Sequence, residues 1–301
     1  MAAFGTLYIV ATPIGNLDDI TLRAMEVLRR VDLIACEDTR RTRKLLGRHG
    51  IEARCLSHHK FNEKRSAVRI LERLKQGSSV ALVSDSGTPG ISDPGSLLVS
   101  RAVEAGIEVR PVPGPNAAIA ALSGCGLPAG EFTFRGFLPH RAGERRRVLA
   151  GLAGEAPTQL FYESPARVRE SIADMAEILG DRRCCVVREM TKRFEQWYRG
   201  RLHEVAAALS AEKTPGEFCI IVEGAADGER AQAASTAQLG SVASAAPPGS
   251  LAEDYGKLLD AGLDRRAAIK HLAKERGLER SEVYRRLVEE RARQGVWHKP
   301  R

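Results

Sequence analysis

Short runs of consecutive apolar residues alternate along the chain with longer stretches in which apolar positions recur every three or four residues. Leu7–Ala11, Leu33–Cys36, Val80–Val83 and Ile107–Val112 have the length and composition of strands buried on both faces, and Arg54–Ser57 adds a shorter one. Between them, Ile20, Ala24, Val27, Leu28 and Val31 follow helical spacing, and Val68, Ile70, Leu71 and Leu74 form the apolar set of the helix after the third strand. Asp38 or Thr39 stands where the helix after the second strand needs a cap. A helix over Gly95–Ala105 follows, and Gly114-Pro115-Asn116 opens a small-residue helix through Leu122. Strict alternation of strand and helix predicts a parallel sheet with right-handed crossovers, an α/β domain over residues 1–125.

The pattern then becomes mixed. Phe132–Leu138 alternates as a strand, and Leu160–Tyr162, Cys184–Val187 and Phe218–Val222 are apolar strands, with Gln196–Arg199 placed to pair with the third of these four. Helices are predicted over Gly143–Leu152, Val168–Leu179 and Leu202–Leu209. This reads as a second α/β domain over 126–224, facing the first. Residues 225–250 are rich in Ala, Ser, Gly and Pro with no apolar period, the composition of a flexible linker. Residues 251–301 are helical again. Ala273, a turn glycine at Gly277, a cap at Ser281 and a second helix bearing Val283 and Leu287 have helix-turn-helix spacing, which an ordinary helical hairpin shares.

Composition narrows the class. No apolar run approaches a membrane span, and Met1–Gly5 lacks a leader's basic and apolar pattern, so a cytoplasmic protein without membrane attachment is expected. The six cysteines form no CxxC pair and lie mostly in apolar runs, and the seven histidines show no HExxH spacing. Reduced core thiols and no metal site are therefore expected. The net charge of +8 divides into +5 for residues 1–224, −1 for 225–250 and +4 for 251–301. That excess is compatible with a polyanionic partner without requiring one.

The candidate chemistry sits in three Gly/Pro loops, each directly after an apolar strand: Ala11–Asn16, Ser84–Gly95 and Val112–Ala118. Parallel topology puts them on one sheet edge, where open α/β sheets bind ligands. Neither GxGxxG nor GxxxxGK[ST] is present, so the loops offer no phosphate cradle and favour a ligand held by adenosine or amino-acid parts. Small residues at Ala117 and Ala118 leave room for an adenine. Asp93, before Pro94 and Gly95, reads as the cap of the following helix.

Together these loops resemble the tetrapyrrole methylase superfamily, the class III S-adenosylmethionine methyltransferases. Ala35–Arg40, Phe161–Pro165, Arg188–Lys192 and Gly216–Phe218 are similar to the ribosomal RNA branch of that superfamily. Ala166 and Pro215 depart from its pattern, where a histidine and a basic residue are usual, and so does His58–Glu63. The resemblance implies two α/β domains of the class III fold with a helix-turn-helix-like appendage, and a homodimer with its cofactor cleft between the domains. It implies S-adenosylmethionine as methyl donor and the 2′-hydroxyl of a decoding-region cytidine in 16S rRNA of the 30S subunit as acceptor. Donor contacts fall on Pro13, Gly15, Ser84, Asp85, Gly87, Thr88, Ile91, Ala117 and Ala118. A base or cation near the ribose oxygen is sought among Glu37, Asp38, Glu163 and Lys192, each at a strand's C-terminal edge, with salt-bridge roles as the competing account. Arg40, His59, Asn62, Arg145, Arg146, Arg147, Arg285 and Arg286 are the candidates for RNA contact, with solvated charge competing. The other functions weighed are a small-molecule (precorrin-type) tetrapyrrole methyltransferase on the same fold and a non-catalytic nucleic-acid-binding module.

Overall fold

The computed structural model describes residues 4–210, 215–226, 250–260, 263–276, 278 and 280–293. The chain forms two compact units, Met1–Ala231 and Gln232–Arg301. The predicted linker, apart from its end residues, and the turn Gly277 lie outside the described residues.

The first sheet contains β1 (Thr6–Val10), β2 (Leu33–Cys36), β3 (Cys55–Ser57), β4 (Val80–Val83) and β5 (Glu108–Val112), in the order β3-β2-β4-β1-β5 with every pair parallel. The period of two assigns its faces. Leu33, Ala35, Val80 and Leu82 pack with α3 (Glu63–Lys75) and α4 (Ser96–Glu104), whereas Ile34, Cys36, Ala81 and Val83 pack with α1 (Leu22–Arg30) and α2 (Thr39–Arg48). Both faces are covered, which is why these strands are apolar throughout. Asp38 caps α2 by accepting the Arg40 N–H. A separate 3-10 turn, Leu17–Asp19, precedes α1, so Ile20 lies between the two helices and Val31 caps the end of α1. Val68 is exposed; Ser66, Ala67, Ile70 and Leu74 are the buried set of α3.

The second sheet runs β6-β7-β10-β8-β9, built from β6 (Phe132–Phe137), β7 (Thr158–Glu163), β8 (Arg183–Arg188), β9 (Gln196–Arg201) and β10 (Phe218–Val222). Only β6 and β7 are parallel. Helices α6 (Ala142–Leu152), α7 (Val168–Leu179) and α8 (Leu202–Ser210) cover one face through Leu149, Ile172, Met175 and Val205. The opposite face receives α5 (Ala117–Gly124). Ala118, Ala121 and Leu122 pack on Leu160, Cys185, Val187 and Ile221. Thus α5 follows the last strand of the first sheet but is buried against the second, tying the two sheets together.

In the second unit, α9 (Leu251–Asp260), α10 (Arg265–Glu275) and α11 (Arg280–Arg293) share a core of Leu251, Tyr255, Leu272, Ala273, Val283 and Leu287. Ser281 lies inside the first turn of α11, not at its cap, because the helix already begins at Arg280.

Candidate active site

The loops after β1, β4 and β5 are bonded to one another, not merely adjacent. Thr12 and Gly87 exchange both backbone hydrogen bonds, at 2.9 and 3.1 Å, and the Thr12 hydroxyl donates to the Ser84 carbonyl at 3.1 Å. Ser84, buried, donates its hydroxyl toward the Ser86 and Gly87 carbonyls. Thr88 donates to the Pro115 carbonyl at 3.2 Å. Gly87 has φ +78°, a conformation that a side chain resists. Asn116 caps α5 by accepting the Ile119 N–H at 3.1 Å.

These loops form one wall of a cavity of about 350 Å³, a volume typical of small-molecule sites. The opposite wall comes from the second sheet and its connections, including Phe137, Tyr162, Val187 and Phe218. Tyr162 joins the walls by accepting the Ala118 N–H at 3.1 Å, with Phe134 and Phe137 edge-on to its ring; burial pushes its pKa up to about 12. The three non-glycine residues with positive φ among the described residues are Ser92, Glu189 and Thr191. The first two line the cavity, and Thr191 precedes the lining residue Lys192. Strained backbone of this kind costs about 1–3 kcal/mol per residue and concentrates at functional sites.

Of the expected donor contacts, Gly87, Thr88, Ile91 and Ala117 line the cavity. Pro13, Ser84 and Ala118 are buried behind it as loop scaffold. Gly15 serves packing: a Cβ there would lie 2.6 Å from Lys192 Cγ and 2.7 Å from Thr191 Oγ1. Asp85 does not line the cavity. It accepts the Asp38 N–H at 2.9 Å and meets Arg41 at 3.4 Å, joining the β4 loop to the start of α2.

The expected acid–base groups separate in the same way. Asp38 is occupied by its cap and by Arg40, which holds its carboxyl below the usual range. Glu163 lines the cavity, yet it takes the Ser164 N–H at 2.7 Å, the Ser171 hydroxyl at 2.6 Å and Arg167 at 2.6 Å. Both of its carboxylate oxygens are thus engaged by the turn after β7 and by α7, which makes it a fixed structural group of the wall. Lys192 bridges Glu189 at 2.8 Å and Glu217 at 3.0 Å. Burial pulls its pKa down, but those two bonds outweigh it and the ammonium ends above its ordinary value. Glu37 lies outside the cavity lining, and its pKa is raised by burial and then by Asp85.

Asp93 is the residue that the sequence reading misassigned. It caps nothing: α4 starts at Ser96 after Gly95 at φ +133°, and the Gly95 N–H is taken at 2.9 Å by Glu63 from α3. The Asp93 carboxyl faces the cavity, and burial, then Glu37, push it up to about 6 while the Ser84 hydroxyl lowers it. The glycine straight after Asp-Pro was the available signal, since it removes the regular first turn that a cap requires.

The expected RNA contacts are mostly engaged internally. Arg145 is buried, with Asp174 at 2.6 Å and Glu170 at 3.4 Å, so it cannot reach a phosphate. Arg146 bridges Asp174 and Glu177. Asn62 closes its own turn by accepting the His59 N–H and donating to the Ser57 carbonyl. His59 is half-buried, edge-on to Phe61. Arg40 pairs with Asp38, and Arg285 and Arg286 pair with Glu282, although all three stay exposed; Arg147 is exposed.

Two facing α/β sheets with ligand loops at the carboxyl edge of the parallel one define a class III methyltransferase, and residues 6–206 match the family model of Tetrapyrrole (Corrin/Porphyrin) Methylases. The chain belongs to this family and is an S-adenosylmethionine-dependent methyltransferase. It is 42% identical over 280 residues, 93% of either chain, to a protein of Halalkalibacterium halodurans named Ribosomal RNA small subunit methyltransferase I. It is 52% identical to the protein of that name from Xylella fastidiosa Temecula1, over 77% of this chain and 86% of that one. The fold also matches diphthine synthase (TM-score 0.59, 17% identity, 76% of this chain and 94% of that one). It matches Thermus thermophilus uroporphyrin-III C-methyltransferase complexed with S-adenyl homocysteine as well (TM-score 0.52, 21% identity, 72% and 97%).

The cavity suits this donor. Its lining carries four carboxylates, Asp93, Glu163, Glu189 and Glu217, against the single ammonium of Lys192. Such a lining favours a cationic sulfonium and disfavours a polyphosphate.

Proposed function

We propose that this enzyme methylates the 2′-hydroxyl of a cytidine in the decoding region of 16S rRNA, acting on the 30S subunit as a cytoplasmic homodimer. The observation that carries this reading is the similarity, over 93% of both chains, to a protein named as a small-subunit rRNA methyltransferase. The acidic cavity supports it against a macrocyclic substrate bearing carboxylates of its own. The intact, cross-bonded donor loops speak against a non-catalytic binding module.

S-adenosylmethionine, when bound, supplies an electrophilic methyl group on a sulfonium. Gly87, Thr88, Ile91 and Ala117 would hold it, with the backbone of the β4 loop offering carbonyls and amides and α5 leaving room beside Ala117. Transfer requires the ribose oxygen in line with the methyl carbon, so positioning carries much of the rate. A ribose hydroxyl also needs its proton removed. Among the described residues, Asp93 is the lining carboxylate without an ion pair to a cation, and, pushed up to about 6, it is ionised at neutral pH and able to take that proton. Lys192, fixed by Glu189 and Glu217, orients the acceptor as a cation, not as a base.

Incubation with labelled donor and either 30S subunits, naked 16S rRNA or a porphyrinogen, followed by nucleotide mapping, tests the proposal. Label on a single cytidine ribose is the expected result. Label confined to the macrocycle, or no transfer together with no donor binding by calorimetry, would overturn it. Light scattering at micromolar concentration tests the dimer, which a monomeric mass contradicts.

A further inference from the structure

Four arginines without internal partners converge elsewhere. Beside the edge strand β3 a surface groove of about 420 Å³ is lined by Arg43 from α2, Arg54 ahead of β3, and Arg69 and Arg73 from α3. All four are exposed, and none of them has an ion pair or side-chain hydrogen bond among the described residues. No carboxylate lines the groove; Asp32 and Glu52 line only the neighbouring hollow, which shares Arg54 and Arg73. Asp32 there is already bonded to the Ser79 N–H at 2.7 Å.

The arrangement is unusual for a surface that serves solubility alone. Helices α2 and α3 cover opposite faces of the first sheet, and the short edge strand lets their side chains meet around it. Four guanidiniums around one concavity repel one another, and no carboxylate in the groove lining forms an ion pair with them. Elsewhere on this protein, exposed arginines are commonly neutralised locally, as Arg30 is by Glu26, Arg110 by Glu108 and Arg141 by Glu144. Cys55 lies in the groove wall, and its thiol is lowered first by its neighbour Cys36 and then by the Arg43 guanidinium, against the opposing effect of burial.

We propose that this groove is a docking surface for the ribose-phosphate backbone of the RNA substrate. Guanidinium forks match phosphate oxygens bidentately, and a row of them along a groove follows a chain of phosphates rather than a single anion. The inference rests on the RNA reading of the active site. It adds that the substrate is also held outside the methyl-transfer cavity, on side chains that take no part in binding the donor.

Affinity for 30S subunits and for naked 16S rRNA, measured separately from methyl transfer, tests it. Arg54→Gln/Arg69→Gln should bind both about tenfold or more weakly at ~0.1 M salt, with a salt slope flatter by roughly 1.5. Its donor affinity and Tm should match wild type. The charge-matched pair Arg23→Gln/Arg30→Gln on α1 should bind RNA as wild type does. In the unaltered protein, RNA should slow alkylation of Cys55, the one half-exposed cysteine, while the five buried thiols serve as the internal reference. Equal losses in both variants would reduce the effect to net charge, and undiminished affinity or an unprotected Cys55 would remove the groove from the RNA path. Any of these overturns the proposal, as does a loss seen with 30S subunits but not with naked RNA, which would mark a protein contact. RNA affinity lost in the groove variant while wild type labels only a porphyrinogen would leave the groove standing and refute the methylation reading instead.

Discussion

Asp93 combines a site in the cavity wall with a strained neighbour, Ser92 at φ +62°, and a carboxyl held near 6. As a base it works ionised, so kcat/KM should rise as pH increases through about 6 and level off above it. Asp93→Asn should abolish that limb and lower transfer by ~10²-fold or more, read from initial rates between pH 5 and 8. Stability should move the other way. The folded pKa is raised, so burying the carboxyl costs nothing below its unfolded value of about 3.9 and destabilises progressively as pH climbs through the folded value. Asp93→Asn should therefore raise Tm at pH 8 by ~3 °C and leave it unchanged at pH 3.5, measured by calorimetry. Arg145 illustrates the opposite kind of charged residue. Its guanidinium is buried on Asp174, so Arg145→Ala removes one of the two cations on that carboxylate, Arg146 being the other, and should cost ~1.5–3 kcal/mol in denaturant unfolding. A surface phosphate contact would show normal stability and a selective loss of RNA affinity.

Among the elements, α5 connects fold to function most directly. Its first residues touch the cavity, Asn116 caps it, and its apolar face lies on the second sheet. Asn116→Ala should cost ~1 kcal/mol of stability by removing the cap. Because the same turn presents Ala117, it should also weaken donor binding several-fold by calorimetry. An unchanged donor affinity would separate the cap from the cavity. Helix α2 shows how one element holds several roles. Asp38 caps it, Arg41 reaches Asp85 in the β4 loop, and Arg43 turns to the β3 groove.

At the scale of the molecule, the proposed function separates methyl transfer in an acidic cavity from substrate capture on basic exteriors. The tail is a candidate for one such exterior, with a net charge of +4 over residues 251–301 and exposed Arg280, Arg285 and Arg286 on α11. Deleting residues 225–301 should leave donor binding intact and weaken binding to 30S subunits at low salt. The difference from the full-length protein should shrink at high salt, where the extra phosphate contacts are screened. Titration at two salt concentrations measures this. Equal affinities at low salt would assign the tail helices to packing instead.

The strands and helices, their order and the parallel nature of the first sheet were legible in the sequence. Each depends on local periodicity, and a sheet buried on both faces writes continuous apolar runs into Leu33–Cys36 and Val80–Val83. The three ligand loops were legible for the same reason, since Gly and Pro interrupt those runs at fixed strand ends. What became of individual charges was not. Nothing near Arg145 in the sequence distinguishes it from Arg147, because the carboxylate that buries it is Asp174, on another helix. Asp93 looked like a cap until Glu63, thirty residues earlier, proved to hold that amide, and Arg43, Arg54, Arg69 and Arg73 meet only because β3 is an edge. Secondary structure follows from neighbours along the chain. The role of a charge depends on which partner tertiary packing brings within hydrogen-bond reach, and that separation in sequence carries no periodic signal.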